Sequence, residues 1–175
     1  MQQSAAERPL ADLLSGLTLR PASWRKAALA VLASIAGVTA FIVLLDALLF
    51  RHSLPADYVA HYTSPLVPRM FAACLAALRD EIVFRLGLMT ALVMLLTWRR
   101  GRLSPGWFVF AILAVQLVNV GGIVLADPLY GTLRFWLVGS VWGWLYWRHG
   151  GLAALAGHGA AHLALDPALL VVLRA

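Results

Sequence analysis

Five long apolar runs, separated by short polar stretches, constrain this chain more than any other feature. They extend from about Ala27 to Phe50, Leu66 to Trp98, Gly106 to Ala126, Leu129 to Trp147 and Leu152 to Leu173, the last interrupted by Asp166 and Pro167. An α-helix of about 20 apolar residues crosses the roughly 30 Å hydrocarbon core of a bilayer. Lipid offers no water to backbone N–H and C=O groups, so a spanning segment must satisfy them internally. The runs therefore predict an all-α integral membrane protein, a bundle of about five transmembrane helices. Composition agrees: 62% of the 175 residues are hydrophobic and 13% charged, against about half and a quarter in a soluble domain. The second run exceeds one simple span. It reads either as one long tilted helix or as two helical pieces meeting near Arg79. The polar stretch from Arg51 to Ser64, with Pro55 and two histidines, reads as a loop.

Residues 1–23 read as a short cytoplasmic arm with an amphipathic turn around Leu10 to Leu19, and residues 24–175 as one transmembrane helical domain. The first apolar run starts too far in, and is too long, for a cleavable signal peptide. The net charge of +6 comes from arginines scattered between the runs. Such scatter marks topology and not nucleic-acid binding. Arg8, Arg20, Arg25 and Lys26 precede run one, Arg99, Arg100 and Arg102 follow run two, and Arg148 follows run four. The positive-inside rule then places the N-terminus in the cytoplasm and, after five crossings, the C-terminus outside a bacterial-type inner or plasma membrane. Trp24, Trp98, Trp107, Trp144 and Trp147 fall near predicted span ends, where tryptophan anchors to the interface. The single Cys74 lies inside an apolar run, so no disulfide framework exists.

Charged groups inside such runs are costly, about 2.5–3.5 kcal/mol each on insertion scales, and must face other helices or a wet cavity. The stretch RDEIVFRLGL places Arg79, Asp80, Glu81 and Arg85 within the second run. Glu81 and Arg85 are four apart in the favourable order, so Arg85 can hold Glu81 in place. Asp80 points about 100° away, free for another task. In run three, Gln116 and Asn119 share a face, and Gly121 and Gly122 would allow close helix approach. In run five, HGAAHLALD sets His158, His162 and Asp166 along one helical stripe. That spacing can bind a metal or position a water. Alone, each group also fits a bland role: a charge-neutral helix clamp, interhelical glue, a packed imidazole. Together they bring carboxylates, an amide and imidazoles into the apolar layer on three separate segments. An acid with imidazole partners can activate water and stabilise an oxyanion, which is hydrolytic chemistry.

These residues resemble the CAAX-protease and bacteriocin-processing (CPBP, or Abi) family of intramembrane proteases, over about residues 66–166. The family's first motif, Glu-Glu-x-x-x-Arg, reads here Asp80-Glu81-Ile82-Val83-Phe84-Arg85. Its second, Phe-x-x-x-His, has its best match in Val115-Gln116-Leu117-Val118-Asn119. Its third, His-x-x-x-Asn, reads His158-Gly159-Ala160-Ala161-His162, after a similar lead-in from Gly143. The resemblance implies Asp80 as general base, Glu81 and Arg85 as a supporting pair, and Asn119, His158 and His162 around the water and the oxyanion. Gln116 and Asp166 would be structural supports. Members are commonly labelled metalloproteases, so the resemblance also implies two options: a divalent metal such as zinc on Glu81, His158 and His162, or no metal at all. The implied partners are membrane lipid and a peptide or lipidated-peptide substrate.

The departures bear on activity. Asp80 is one methylene shorter than glutamate, and a setback of roughly 1 Å can cost about 100-fold in rate. Asn119 cannot take a proton, although its amide can donate. His162 adds an imidazole where the family has an amide, so Glu81 could replace Asp80 as base. The sequence thus reads as an intramembrane endopeptidase. A non-catalytic relative serving as membrane scaffold or binding protein is the alternative. A cation or proton transporter is a third reading, weakened by five spans without the usual repeat.

Overall fold

The computed structural model describes residues 17–174, all of whose regular structure is helical. Among the described residues six helical runs follow one another. Helix α1 (Trp24–Leu49) is α-helical to Leu44 and ends in a π-helical turn, Leu45–Leu49. Helix α2 (Ala56–Thr63) is short. Helix α3 (Leu66–Arg100) carries a π-helical middle, Glu81–Met89. Helix α4 (Pro105–Ala126) follows, then α5 (residues 128–149), with π-helical geometry over Thr132–Leu137, and α6 (Gly151–Arg174). The protein is an all-α bundle. Helices α1, α3, α4 and α6 are long and apolar enough to cross a membrane. The fourth apolar run forms α5 but is not among these four; it contains Arg134 and seven glycines or tryptophans that dilute its hydropathy.

Helix α6 is the hub and packs against α1, α2, α3 and α5. Ile42, Met89, Leu145 and Leu169 fill the centre, each 0–1% exposed. The outer faces stay apolar, with Leu29, Leu32, Phe71, Ile82 and Val118 exposed, as expected of a surface that meets lipid. The chain before α1 helps start α6. The N–H groups of Gly151 and Leu152 donate to the carbonyls of Thr18 and Leu19 at 2.9 and 3.0 Å, satisfying donors that a helix start leaves open. Gly150 is required at this joint. Its φ is +91°, and a Cβ would sit 2.9 Å from the Thr18 carbonyl oxygen.

Several expectations are corrected, and one left open, the form of the second run, is settled. The stretch 51–64 is not all loop, because Tyr58 and Tyr62, one turn apart on α2, dock onto buried Arg134. The second run is a single helix of 35 residues, about 50 Å long. Helix α6 runs through Asp166 and Pro167 to Arg174. Arg69 holds it there, bonding the Asp166 carboxylate at 3.0 Å and its carbonyl at 3.2 Å. Gly121 and Gly122 face open space: a Cβ there would meet nothing within 4 Å. The close approaches occur instead at Gly131, Gly139, Gly143 and Gly157. The turn expected around Leu10 to Leu19 lies mostly outside the described residues, and Leu17 to Leu19 is not helical.

Candidate active site

Glu81 is the first residue of the π-helical stretch of α3, with Asp80 just before it. The two carboxylates part at this junction. Asp80 accepts two bonds from the exposed Arg79 guanidinium, at 2.8 and 3.0 Å, and its side chain keeps 18% of its exposure. Glu81 turns inward and is 3% exposed. Its Oε1 lies 3.6 Å from Arg85 Nε and 2.9 Å from Nδ1 of His158, on α6. A carboxylate paired with a guanidinium only accepts hydrogen bonds, so Nδ1 of His158 is the donor, an arrangement that in the neutral ring leaves Nε2 with its lone pair.

Arg85 ties three elements together. Its Nη2 donates to Gln116 Oε1 on α4 at 2.7 Å and to the Gly139 carbonyl on α5 at 2.8 Å. Gln116 Nε2 donates to the Phe135 carbonyl at 3.2 Å. Gly139 makes this meeting possible, because a Cβ there would lie 2.0 Å from Gln116 Nε2. The His158 ring lies on buried Trp142, with centroids 5.3 Å apart and planes 14° from parallel. His162 follows one turn on, 5.4 Å from His158 between centroids.

A cavity of about 240 Å³ opens among these groups, lined by Asp80, Arg85, Asn119, His158 and His162. It has room for several water molecules. Two of its lining residues carry buried polar atoms, Arg85 Nη1 and His162 Nδ1, with no hydrogen-bond partner among the described residues, and Oε2 of Glu81, bonded to the lining His158, also has none. The residues singled out in the sequence therefore fall into three groups. Glu81, Arg85, Gln116 and His158 form one bonded network. Asp80, Asn119 and His162 face the same cavity without joining that network. Asp166 instead belongs with Arg69, and its Oδ1 is 4.0 Å from His162 Nδ1.

Among the described residues no group of three or more His, Cys, Asp or Glu side chains is set to hold a metal ion. Nδ1 of His158 is committed to Glu81, and the Arg85 guanidinium stands 3.6 Å from the same carboxylate oxygen. A dication at Glu81 would meet like charge, so this donor set does not fit a divalent metal.

Sequence reasoning passed over a second buried cluster. Asp46, fully buried in the π turn of α1, pairs with Arg134 of α5 at 3.3 Å. Asp46 also accepts from the hydroxyls of Tyr58 and Tyr130, while Arg134 Nη2 donates to Tyr58 at 2.9 Å and Tyr62 at 3.3 Å. Burial drives the pKa of the Tyr58 hydroxyl well above the ordinary phenol range, against the pull of Arg134, so it remains a donor. The signal was available: an aspartate in run one and an arginine in run four are opposite charges within apolar runs, where a lone charge needs a partner. Arg134 also lines the main cavity.

No protein-family model matches the chain, and comparisons with curated proteins and with solved structures likewise find no match.

Proposed function

We propose that this protein is an intramembrane endopeptidase of the CPBP type, hydrolysing a peptide bond in the buried polar cavity. The observation that carries the reading is the 2.9 Å contact between Glu81 and His158, residues 77 apart in sequence, beside a cavity that water can fill. Glu81 accepts the Nδ1 proton and fixes the tautomer. Nε2 of His158 takes a proton from a water bound at the Asp80 carboxylate. The resulting hydroxide adds to the substrate carbonyl carbon. The Asn119 amide donates to the oxyanion, assisted by an N–H of the His162 ring. The intermediate collapses when His158 returns its proton to the departing amine, and the C–N bond breaks. Arg85 and Gln116 act at one remove, keeping Glu81 oriented. The basic, tryptophan-bearing end of the bundle faces the cytoplasm in this reading, with α5 as a fifth crossing and the C-terminus outside.

The test is cleavage of membrane-inserted peptides by protein reconstituted in liposomes, read by mass spectrometry. His158→Ala should reduce cleavage at least 100-fold, and Glu81→Gln and Asp80→Asn at least tenfold, with the helical circular dichroism retained. Cleavage unchanged by His158→Ala would refute the reading. A non-catalytic scaffold is favoured by one observation, the Arg85–Gln116–Gly139 network that joins α3, α4 and α5. It predicts no cleavage by the unaltered protein, with Glu81→Gln lowering stability alone.

A further inference from the structure

The seam between α1 and α5 supplies no polar group to the hydrolytic chemistry on its outer side, yet it opens outward at two depths. At the basic end, a pocket of about 450 Å³ is lined by Ser23, which caps α1, by Lys26 of α1 and by Trp144, Trp147, Arg148 and His149 of α5. Deeper in the same seam, a furrow of about 260 Å³ runs between Gly37 and Phe41 of α1 and Leu137 and Val141 of α5. The upper pocket is cationic: among the described residues neither Lys26 nor Arg148 pairs with a carboxylate, and Arg148 lies over the Trp147 ring at 5.2 Å. The lower furrow is apolar apart from Ser34, and Gly37 holds it open, since a Cβ there would meet nothing within 4 Å.

We propose that this seam binds one anionic phospholipid, with its phosphate between Lys26 and Arg148 and an acyl chain in the furrow at Gly37. Basic pockets between membrane helices suit anionic headgroups, and tryptophans mark the headgroup depth. The spacing fits: Lys26 to Gly37 is about 16 Å along a helix, close to the roughly 15 Å half-thickness of the hydrocarbon core. A soluble anion such as inorganic phosphate would use the upper pocket but leave the furrow without purpose. Val38 and Val138 line both the furrow and the polar cavity, so the acyl chain forms the outer side of a wall whose inner side is the hydrolytic site. The binding itself does not depend on hydrolysis.

The test is native mass spectrometry of the purified chain with phosphatidylglycerol or phosphatidylcholine of identical chains. Phosphatidylglycerol should be retained at least tenfold better. The double variant Lys26→Ala/Arg148→Ala should lose that preference. Gly37→Leu, whose Cβ would meet nothing within 4 Å and whose side chain would occupy the furrow, should reduce retention at least fivefold while the headgroup cations remain. Arg99→Ala/Arg100→Ala, at the same end but outside the pocket, should change nothing. Melting curves establish that each variant is folded. Equal retention of the two lipids, indifference to Gly37→Leu, or full displacement by millimolar inorganic phosphate would each overturn the proposal, the last in favour of a free-anion site.

Discussion

Gly139→Ala should destabilise the bundle through a single side chain, Gln116. The added methyl would lie 2.0 Å from Gln116 Nε2 and 2.3 Å from its Cδ. Neither end of the amide is free to yield, because Oε1 accepts from Arg85 at 2.7 Å and Nε2 donates to the Phe135 carbonyl at 3.2 Å. Displacing the amide breaks both bonds. A bond to a charged group contributes about 1.5–3 kcal/mol and a neutral one about 0.5–1.5 kcal/mol, so the loss is about 2–4.5 kcal/mol on soluble-protein figures. Interhelical bonds within membranes average about 0.6 kcal/mol, which sets a floor of about 1 kcal/mol for the pair. The assay is equilibrium unfolding in micelles, followed by circular dichroism, in a double-mutant cycle with Gln116→Ala. Once Gln116 is truncated the methyl has room, so Gly139→Ala should then cost under about 0.5 kcal/mol, the usual margin for uncoupled sites. An equal cost in both backgrounds would show that something other than Gln116 resists the methyl, and the account of the α3–α4–α5 junction would fail.

Arg134→Met should be among the most damaging single changes, at about 3–5 kcal/mol, because it leaves Asp46 buried without its cation. Adding Asp46→Asn to that variant should recover most of the loss in the same unfolding assay; no recovery would mean that Arg134 acts by packing alone. Gly131→Ala should behave unlike Gly139→Ala, since its Cβ would meet backbone, 2.7 Å from Val124 Cα, and no side-chain truncation can relieve it. Rescue of its melting temperature by Val124→Ala would contradict this.

The helical class was legible because long apolar runs with few breakers leave a chain so few choices. The runs that begin at Ala27, Leu66, Gly106 and Leu152 became long helices because their apolar length exceeds one bilayer crossing. The pairing of Glu81 with Arg85 was legible for a local reason, their spacing of four. The contact of Glu81 with His158 was not, since it depends on which face of α3 meets α6. Likewise, HGAAHLALD suggested one stripe with one purpose. The third member, Asp166, instead answers to Arg69, 97 residues away. Small residues misled in a similar manner. Gly121 and Gly122 drew attention as a pair, whereas the glycines that matter are single ones facing Gln116, Ile112 or Leu145, whose partners only the packing reveals.

One signal in α3 could have been read further. Its inward residues from Ala77 onward are Ala77, Glu81, Arg85, Met89, Val93 and Thr97, a strict period of four. In an α-helix of 3.6 residues per turn, each step of four overshoots a full turn by about 40°, so five steps would carry the stripe about 200° around the helix. On a helix with one face to the bundle and Ile82, Val83 and Leu86 exposed, such a stripe would leave the core. A π-helical turn advances less per residue, because its hydrogen bonds reach one residue further. Placing Glu81–Met89 in that geometry reverses part of the drift and keeps Glu81 and Arg85 in register with the residues on either side. Helix α6 shows why the correction is local. It also buries every fourth residue, from Ala153 to Leu169, and stays α-helical throughout. Being the hub, it has neighbours on several sides, so a winding stripe remains covered. All three π-helical segments among the described residues contain buried charges: Asp46, then Glu81 and Arg85, then Arg134. In this bundle the departures from α-geometry fall where an ionised side chain must be aimed at a partner on another helix, because a charge left facing lipid costs more than a widened turn.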